Sequence, residues 1–296
     1  MAPEHEPVAF LGIGAMGHGM AKSALRAGIP TIVWNRTPDA TRDLEAAGAE
    51  VAPAAADAAR RARIVVTMVS NADAVMAVAR DQGMLAASES GAIWAQMSTI
   101  GVAGTDRVVA LVNAERPDIT LLDAPVSGSK DPAEHGELTI FASGPEAARP
   151  RAAPLFDALG SRTMWVGDVG MGTRLKLVNN TWLAFADESL AALVNLARHL
   201  GLDIGTMIEA VGKSPLVSPW QAAKLQRVVN DDFSPQFALA LALKDVRLAL
   251  EAAEGADGFD ALGALAQEWQ RAVDAGLGND DLTVVARARR TEGGDR

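Results

Sequence analysis

Three glycines stand between an apolar run and an alanine-rich run near the start of the chain. They occur in the segment Val8-Ala9-Phe10-Leu11-Gly12-Ile13-Gly14-Ala15-Met16-Gly17, where a predicted strand passes directly into a predicted helix. In this context Gly12 allows a tight turn, Gly14 lets a pyrophosphate approach the backbone, and Gly17 lets the helix pack on the strand. The amide groups of the helix N-terminus would then face the phosphates. We therefore predict a dinucleotide-binding turn, with a plain glycine turn as the alternative, formed by Gly12, Ile13, Gly14, Ala15, Met16 and Gly17.

The first half of the chain alternates short β-branched runs with alanine-rich stretches, from Val8 to about Gly167. This alternation is typical of βαβ units in a parallel sheet. Strands are predicted at Val8–Ile13, Thr31–Trp34, Ile64–Val69, Ala92–Met97, Thr120–Asp123, Leu138–Ala142 and Thr163–Val166. Helices are predicted between them at Ala15–Ala27, Asp39–Ala47, Ala54–Ala62 and Gly144–Leu159. We expect an α/β fold with an N-terminal Rossmann-type, doubly wound sheet.

The strand pattern stops after Gly172, and helical spacing follows. Apolar residues recur at this spacing from Thr173 to about Leu200, well beyond the average helix length of about 11 to 12 residues. Gly201 predicts a C-terminal cap for this helix. Further helices are predicted at Ile204–Val211, Gln221–Val229, Phe237–Ala253 and Gly258–Ala275. We expect a dinucleotide-binding domain at residues 1–167 and an all-α C-terminal domain at residues 168–296, which includes a long inter-domain helix.

Composition argues against several classes of protein. The 296 residues suit two domains, and no apolar run approaches the roughly 18 residues of a membrane span. We therefore expect a cytoplasmic protein without a membrane partner. The chain has no cysteine and its four histidines are scattered, so we expect no metal site. The net charge of −10 argues against a nucleic-acid partner.

The second predicted strand ends in Asn35-Arg36-Thr37, where an acidic residue would hold the ribose hydroxyls of NAD. The acidic residue is absent here. Arg36 can pair with a 2′-phosphate, and Asn35 and Thr37 can donate hydrogen bonds to it. The pattern favours NADPH over NADH, while an exposed arginine in a strand-end loop is the alternative interpretation.

Polar residues follow two more predicted strands, in Val69-Ser70-Asn71 and Met97-Ser98-Thr99. Ligands of open α/β sheets bind at the carboxyl ends of the strands. Val69, Ser70 and Thr99 are therefore predicted to lie at the cofactor. Asn71 and Ser98 also suit ordinary helix caps, and for Asn71 both interpretations stay open.

Motifs along nearly the whole chain resemble the β-hydroxyacid dehydrogenase family, whose substrate loop reads DAPVSGG or DAPVSGS. The motifs occur in family order: GIGAMG at Gly12–Gly17, NRT at Asn35–Thr37, STI at Ser98–Ile100, DAPVSGS at Asp123–Ser129, GMGTRLKLVNN at Gly170–Asn180 and KDVRLA at Lys244–Ala249. The continuation from Ser127 to Leu138 is similar to that of the NADPH-dependent glyoxylate and succinic semialdehyde reductases. The resemblance implies a substrate that is a small anionic aldehyde or hydroxy acid.

The resemblance also implies catalytic roles. Reduction of an aldehyde needs a hydride, which the cofactor supplies, and a proton, which Lys176 would supply. Asn180 lies four residues later on the same helix face and would orient the lysine or the substrate, with Asn179 as a neighbouring substrate contact. Lys244 and Phe237 would lie near the cofactor. Base rates alone would leave Lys176 in solvent. The alternative for both asparagines is a polar position on the helix surface, and the alternative for Phe237 is plain core packing.

Two further segments are predicted to contact the substrate. Ser127, Gly128 and Ser129 offer hydroxyl and amide groups that could hold a carboxylate as a small nest, with a simple turn as the alternative. Trp220 would line and narrow the pocket, although a core tryptophan is equally consistent with its sequence context. His135 and Glu134 are interpreted as surface residues.

Three functions compete at this point. The favoured one is an NADPH-dependent reductase of glyoxylate or succinic semialdehyde, followed by a 3-hydroxyisobutyrate or tartronate semialdehyde dehydrogenase. An imine reductase has the same two-domain plan, but Lys176 and the loop at Ser127 argue against it. A non-catalytic, NADP-binding regulatory protein is the alternative of another class. The resemblance also implies a homodimer or homotetramer.

Overall fold

The computed structural model describes residues 5–212 and 214–287. The chain divides into two compact units, Met1–Lys176 and Leu177–Arg296. The predicted domain boundary at residue 167 stays a prediction, because compactness does not test which segment folds independently.

The first unit contains two β-sheets. The strands are β1 (Val8–Leu11), β2 (Thr31–Trp34), β3 (Glu50–Val51), β4 (Ile64–Thr67), β5 (Ile93–Gln96), β6 (Thr120–Asp123), β7 (Val126–Ser127), β8 (Leu138–Ala142) and β9 (Gly160–Trp165). Six of them form a sheet in the order β3-β2-β1-β4-β5-β6, and all its pairs are parallel. This order places β1 and β4 side by side at the centre, where the strand sequence reverses direction.

Alternate residues of the central strands enter two separate apolar cores. Val8 and Phe10 of β1 belong to one core, whereas Ala9 and Leu11 belong to the other. A parallel sheet that is buried on both faces needs helices on both faces. The predicted doubly wound Rossmann-type sheet is confirmed.

The prediction of a single parallel sheet across this half of the chain was wrong. Leu138–Ala142 and the segment predicted at Thr163–Val166 lie in a second, three-stranded sheet of order β7-β8-β9. There β7 is antiparallel to β8, and β8 is parallel to β9. The two-residue strand β7 was too short to carry a periodic signal, yet its pairing with β8 determines which sheet β8 joins.

Helices account for most of the remaining described residues. They are α1 (Ala15–Arg26), α2 (Arg42–Ala46), α3 (Ala55–Arg60), α4 (Ala72–Met76), α5 (Met84–Ala87), α6 (Gly101–Glu115), α7 (Lys130–His135), α8 (Arg149–Leu159), α9 (Met171–His199), α10 (Ile204–Val211), α11 (Pro219–Val229), α12 (Leu239–Ala252) and α13 (Asp260–Ala272). Short 3₁₀ turns lie at Pro38–Thr41, Glu146–Ala148 and Leu282–Val284, and π turns at Ala77–Asp81 and Val273–Leu277. Among the described residues, no helix combines the length and the apolar character that a membrane crossing requires.

The long helix α9 ends at the glycine that the sequence predicts. Gly201 has a φ of 70°, and its N–H donates to the Arg198 carbonyl while the Leu202 N–H donates to that of Ala197. These two bonds form a Schellman motif, in which glycine adopts the left-handed conformation at least cost. The predicted C-terminal cap is confirmed.

The core of the second unit surrounds a buried ion pair. Trp269 and Leu243 are buried in this core. Lys224 of α11 donates to Asp281 at 2.8 and 3.0 Å, and both side chains are almost fully buried. Burial alone would raise the pKa of Asp281. The hydrogen bond and the charge of Lys224, together with a hydrogen bond from the Phe237 amide, hold that pKa below the ordinary value.

Asp187 of α9 lies near this pair. Its side chain is buried, and neither carboxylate oxygen has a hydrogen-bond partner among the described residues. Burial raises the pKa of Asp187 well above its ordinary value; Asp281 and Glu188 raise it further, and Lys224 opposes them. The folded state holds the carboxyl proton of Asp187 more tightly than the unfolded state does. The resulting contribution to the free energy of unfolding is fully present at pH values below the ordinary pKa. This contribution is lost as the pH rises through the raised pKa.

We expect Asp187→Asn to remove this pH dependence, because the amide keeps the shape of the side chain and has no charge to bury. Urea unfolding at about pH 5 and about pH 8 would show the variant gaining stability over the wild type at the higher pH. The exposed Asp260→Asn serves as the matched control and should follow the wild type at both pH values. An unchanged pH dependence in Asp187→Asn would contradict this account.

Candidate active site

The turn between β1 and α1 leaves room for a ligand at one glycine and none at the other two. A Cβ on Gly12, whose φ is 103°, would overlap the Met68 carbonyl oxygen, and a Cβ on Gly17 would overlap the Gly12 carbonyl oxygen. A Cβ on Gly14 would meet no atom within 4 Å. The first and third glycines are therefore required by packing, and the second faces open space.

Among the described residues, no side chain caps the N-terminus of α1. Gly14 is the N-cap residue with an extended backbone, and the first turn contains no acidic residue. Amide groups at such an end are a favourable site for a phosphate, because they donate hydrogen bonds and the helix dipole attracts negative charge. The residues at this turn, including Ala15 and Met16, fit the pyrophosphate of a dinucleotide.

Asn35 connects the first turn to the end of β2. Its Oδ1 accepts the Ile13 N–H at 2.9 Å, and its Nδ2 donates to the Thr37 carbonyl at 2.9 Å. The amide of Ile13 is thus already used within the protein. Arg36 and Thr37 are exposed beside it, and no hydrogen bond or ion pair joins Arg36 to another residue of the part of the chain that the structure describes.

A buried serine holds the ends of β4 and β5 together. Ser98 Oγ accepts the Val69 N–H at 2.8 Å and donates to the Thr67 carbonyl at 3.2 Å. Ser70 is exposed next to Val69, and Thr99 is half-buried next to Ser98. Asn71, for which two interpretations were open, caps α4 by accepting the Ala74 N–H at 2.8 Å.

The predicted substrate loop begins at β7 and continues into α7. Gly128 has a φ of 141°, and a Cβ there would lie 2.6 Å from a methyl carbon of Leu138. Ser129 is the N-cap residue of α7, with its backbone carbonyl accepting the Ala133 N–H. Ser127 and Ser129 are half-buried, and Gly128 is exposed. The loop therefore has a defined backbone that only glycine at its centre permits without strain.

The start of α9 is fixed by Asp123, the last residue of β6. One carboxylate oxygen accepts the Thr173 N–H at 2.7 Å, and the other accepts the Thr173 hydroxyl at 2.7 Å. Ser143, which follows β8, donates to the Asp123 carbonyl at 3.0 Å and accepts the Gly172 N–H at 2.9 Å. A Cβ on Gly172 would overlap the Phe141 carbonyl oxygen. The first turn of the helix is thereby held against the ends of both sheets.

Lys176 follows one turn behind this contact and is 7% exposed. Burial raises the pKa of Asp123, against the opposing effect of the hydrogen bonds from Thr173, Ser143 and Gly170. The position of Lys176 in the first unit is therefore determined by a helix start that hydrogen bonds and packing both fix. The base-rate expectation of a solvent-exposed lysine does not apply.

In the second unit, a chain of polar side chains joins three predicted site residues. Asn179 Nδ2 donates to Asn180 Oδ1 at 3.1 Å, and Asn180 Nδ2 donates to Asp245 Oδ2 at 2.6 Å. Lys244 Nζ lies 2.8 Å from Asp245 Oδ1. The amide group of the buried Asn180 is thus oriented by a carboxylate from α12.

The other two predicted residues of this unit pack against structural groups. The Trp220 ring lies 5.7 Å from Lys224 Nζ, as in a cation–π contact. Phe237 packs on the helical core, and its N–H donates to Asp281 at 3.1 Å. The placement of Phe237 agrees with the core interpretation, whereas Trp220 is half-buried at the start of α11. The predicted ligand contacts of both residues stay predictions.

Asp123, Ser143, Ser98 and Asp245 are site-forming residues that received no such role from the sequence. Three of them stand inside recognised motifs: Ser98 in STI, Asp123 in DAPVSGS and Asp245 in KDVRLA. The partners of Asp123 and Asp245 lie 50 and 65 residues away along the chain. Only the motif context could have suggested them, because spacing carries no signal over such separations.

The comparisons with known proteins cover both units. A family model for the NAD-binding domain of 6-phosphogluconate dehydrogenase matches residues 7–167. A second model, for the NAD-binding region of NADP-dependent 3-hydroxyisobutyrate dehydrogenase, matches residues 170–288. Together they define a nicotinamide-cofactor oxidoreductase that acts on CH–OH groups.

Similar proteins extend over nearly the full length. Glyoxylate/succinic semialdehyde reductase 1 of Arabidopsis thaliana is 30% identical over 283 residues, covering 95% of this chain and 97% of the relative. The 3-sulfolactaldehyde reductase of Escherichia coli is 32% identical over 295 residues, covering 97% of each chain. The crystal structure of 3-hydroxyisobutyrate dehydrogenase from Salmonella typhimurium matches with a TM-score of 0.85 and 29% identity, covering 95% of this chain and 99% of that chain. This chain belongs to the β-hydroxyacid dehydrogenase family.

We expect Asp123→Asn to destabilise the first unit by about 1 to 3 kcal/mol. The reason is that the amide NH₂ would face one of the two Thr173 donors, whose hydrogen bonds the carboxylate oxygens now accept. Urea unfolding monitored by circular dichroism measures the change. Asp106→Asn, at an exposed position of α6, is the matched control and should leave stability unchanged. Equal stability of Asp123→Asn and the wild type would show that the carboxylate does not hold the helix start.

Proposed function

We propose that this protein is an NADPH-dependent reductase of small aldehyde acids, with glyoxylate and succinic semialdehyde as the favoured substrates and Lys176 as the proton donor. The observation that carries the proposal is the placement of Lys176. It is a buried lysine in the second turn of a helix whose start Asp123 and Gly172 fix. Names of relatives at about 30% identity support the aldehyde-acid class.

Each proposed role follows from the chemistry of the residue. When bound, the reduced nicotinamide supplies the hydride. The ammonium group of Lys176 donates a proton to the substrate carbonyl oxygen as negative charge develops there, a contribution typically worth 10² to 10⁴ in rate. The Ser127–Ser129 loop holds the substrate carboxylate through its hydroxyl and amide groups, since oriented donors in a nest bind anions. An acidic protein of net charge −10 needs such a local site to hold an anion.

The preference for NADPH rests on Arg36. The Asn35 side chain is bonded to Ile13 and Thr37, so the exposed Arg36 is the cation beside the ribose end of the turn. A guanidinium group binds a phosphate through two parallel hydrogen bonds and makes no comparable contact with a neutral ribose hydroxyl. Ser70 and Thr99 stay our proposed contacts to the ribose and nicotinamide.

The residues of the second unit keep their proposed roles. Asn180, oriented by Asp245, would bind or orient the substrate, with Asn179 beside it along the helix. Lys244 and Phe237 would contact the cofactor, and Trp220 would narrow the substrate pocket. We also propose that the protein is a homodimer or homotetramer.

Other aldehyde acids are second candidates. A relative named for 3-sulfolactaldehyde and a structure named for 3-hydroxyisobutyrate support a wider choice of anionic substrates, among which tartronate semialdehyde also belongs. An imine reductase is disfavoured by Lys176, because a protonated lysine serves an alkoxide rather than an iminium substrate.

NADPH oxidation with glyoxylate, succinic semialdehyde, methylmalonate semialdehyde and a cyclic imine tests the proposal. We expect oxidation with at least one aldehyde acid, and a loss of about 10²-fold or more in kcat in Lys176→Ala, because the proton donor is removed. Lys176→Arg is the matched control, since it keeps the positive charge without a transferable proton, and it should be similarly impaired. NADPH binding, measured by fluorescence, should persist in both variants.

The outcomes separate the candidates. NADPH oxidation with the cyclic imine alone would favour an imine reductase. The absence of NADPH oxidation with every one of the four substrates would favour a non-catalytic NADP-binding protein. A normal kcat in either Lys176 variant would remove it as the acid.

We expect Arg36→Asp to reverse the cofactor preference, because the carboxylate repels a 2′-phosphate and accepts hydrogen bonds from ribose hydroxyls. The loss in NADPH affinity should be about 10-fold or more, as for a charge-assisted hydrogen bond. Kd values for NADPH and NADH measure it. Arg42→Ala, an exposed arginine paired with Asp39, is the control and should leave both values unchanged. A wild type that prefers NADH would contradict the assignment.

A further inference from the structure

Thr105 of α6 is a buried polar residue that lies outside every motif named above. Its hydroxyl donates to the Gly101 carbonyl at 2.9 Å, and it lies 3.0 Å from the hydroxyl of Thr173 at the start of α9. The two threonines are 68 residues apart along the chain. One hydroxyl group therefore joins the N-terminal turns of two helices.

The contact with Thr173 distinguishes Thr105 from an ordinary helical threonine. The bond to Gly101 alone would be unremarkable in function, because a threonine in a helix often donates to the carbonyl four residues before it. Thr173 belongs to another element, and both threonines are almost fully buried. Removal of either hydroxyl would leave the other without water as a replacement partner, so the contact ties the two helix starts together.

The direction of this contact follows from the partners of Thr173. The Thr173 hydroxyl has one hydrogen, which it donates to Asp123 Oδ1 at 2.7 Å. A carboxylate only accepts, and its charge makes such a bond strong. The Thr173 oxygen is thus left as an acceptor, and Thr105 supplies the hydrogen. Thr105 therefore shares its single hydrogen between the Thr173 hydroxyl and the Gly101 carbonyl.

On the α6 side, the contact reaches the turn that contains Thr99. The side chain of Gln96 holds the backbone of Ser98: its Oε1 accepts the Ser98 N–H at 2.8 Å, and its Nε2 donates to the Ser98 carbonyl at 2.9 Å. Gly101 begins α6 with a φ of 75°. Thr99 therefore lies on a backbone that is fixed before it by Gln96 and after it by Thr105.

On the α9 side, the contact reaches the turn that precedes Lys176. Thr173 lies three residues before Lys176, and its amide donates to the second oxygen of Asp123 at 2.7 Å. Thr105 also packs at Gly170, where a Cβ would lie 3.8 Å from the threonine methyl carbon. The start of α9 is therefore held by α6 as well as by the carboxylate of β6.

We propose that Thr105 is a positioning residue for hydride and proton transfer. This role rests on the proposed function, in which Thr99 contacts the nicotinamide and Lys176 protonates the substrate carbonyl. The Thr105 hydroxyl fixes the Thr99 turn and the first turn of α9 relative to each other. The cofactor side and the lysine side must act on one carbonyl group, and a misplacement of about 1 Å can cost about 100-fold in rate.

Single-turnover mixing of the full chain with NADPH and an aldehyde acid that the wild type reduces tests this role. Thr105→Val keeps the shape of the side chain and removes the hydroxyl. We expect the rate constant of NADPH oxidation to fall about 10-fold or more, with an amplitude and a Kd for NADPH within about twofold of the wild type. A purely structural role would instead lower the amplitude, because fewer molecules would be folded.

Two variants serve as controls for the rate constant. Thr105→Ser keeps the hydroxyl and should retain most of the wild-type rate constant. Thr31→Val removes a buried hydroxyl that donates to the Ile29 carbonyl at 2.8 Å. Thr31 is the first residue of β2, and ligands of such sheets bind at the carboxyl ends of the strands. Its replacement should therefore leave the rate constant unchanged.

Urea unfolding tests the connection between the helices without any catalysis. Thr105→Val and Thr173→Val each remove one side of the hydroxyl contact. The shift of the urea midpoint in the double variant should be smaller than the sum of the two single shifts, because the second replacement finds the contact already broken. Thr31→Val combined with Thr173→Val is the control, and its two shifts should add.

The results distinguish this role from the proposed function. A wild-type rate constant in a folded Thr105→Val would overturn the positioning role while the proposed function stands. A wild type that oxidises NADPH with no aldehyde acid would overturn the proposed function and the positioning role with it. Additive midpoint shifts for Thr105→Val and Thr173→Val would overturn the connection between α6 and α9, whatever the activity of the protein.

Discussion

The first unit depends on the hydrogen bonds of Asp123. Asp123 is the last residue of β6 in the large sheet, and its backbone pairs with Ser143, which follows β8 of the small sheet. Its carboxylate oxygens accept hydrogen bonds from the Thr173 amide and hydroxyl at the start of α9. Three segments distant in sequence meet at one acidic side chain. Because that side chain is buried, every donor around it must be matched, and the helix cannot begin elsewhere without leaving hydrogen bonds unmade.

The same rule applies to two buried polar groups of the second unit. Asn180 is held by Asp245, and Asp281 is satisfied by Lys224 and by the backbone of Gln236 and Phe237. Among the described residues, neither carboxylate oxygen of Asp187 has a hydrogen-bond partner. A buried carboxyl costs less free energy in its protonated form than in its charged form, which is why burial raises the pKa of Asp187.

Local physics made much of the fold predictable. The glycine turn at Gly12, the strands with alternating cores and the helix end at Gly201 each depend on neighbouring residues, and each prediction of structure there is confirmed. The sheet membership of Leu138–Ala142 was predicted wrongly because it depends on a two-residue partner, Val126–Ser127. The roles of Asp123 and Asp245 could not be predicted, because their hydrogen-bond partners are set by tertiary packing. The candidate residues of the site were readable from motifs; the groups that hold them in place were not.

The double use of Asn35 has a consequence for how such a site can change. Its side chain ties the phosphate turn at Ile13 to the loop at Thr37, so the shape of the turn does not depend on the identity of the residue between them. Mutation can therefore exchange the charge at Arg36 while the backbone of the turn stays the same. On the role proposed for Arg36, a single substitution can change the coenzyme preference within a lineage without any loss of the dinucleotide turn.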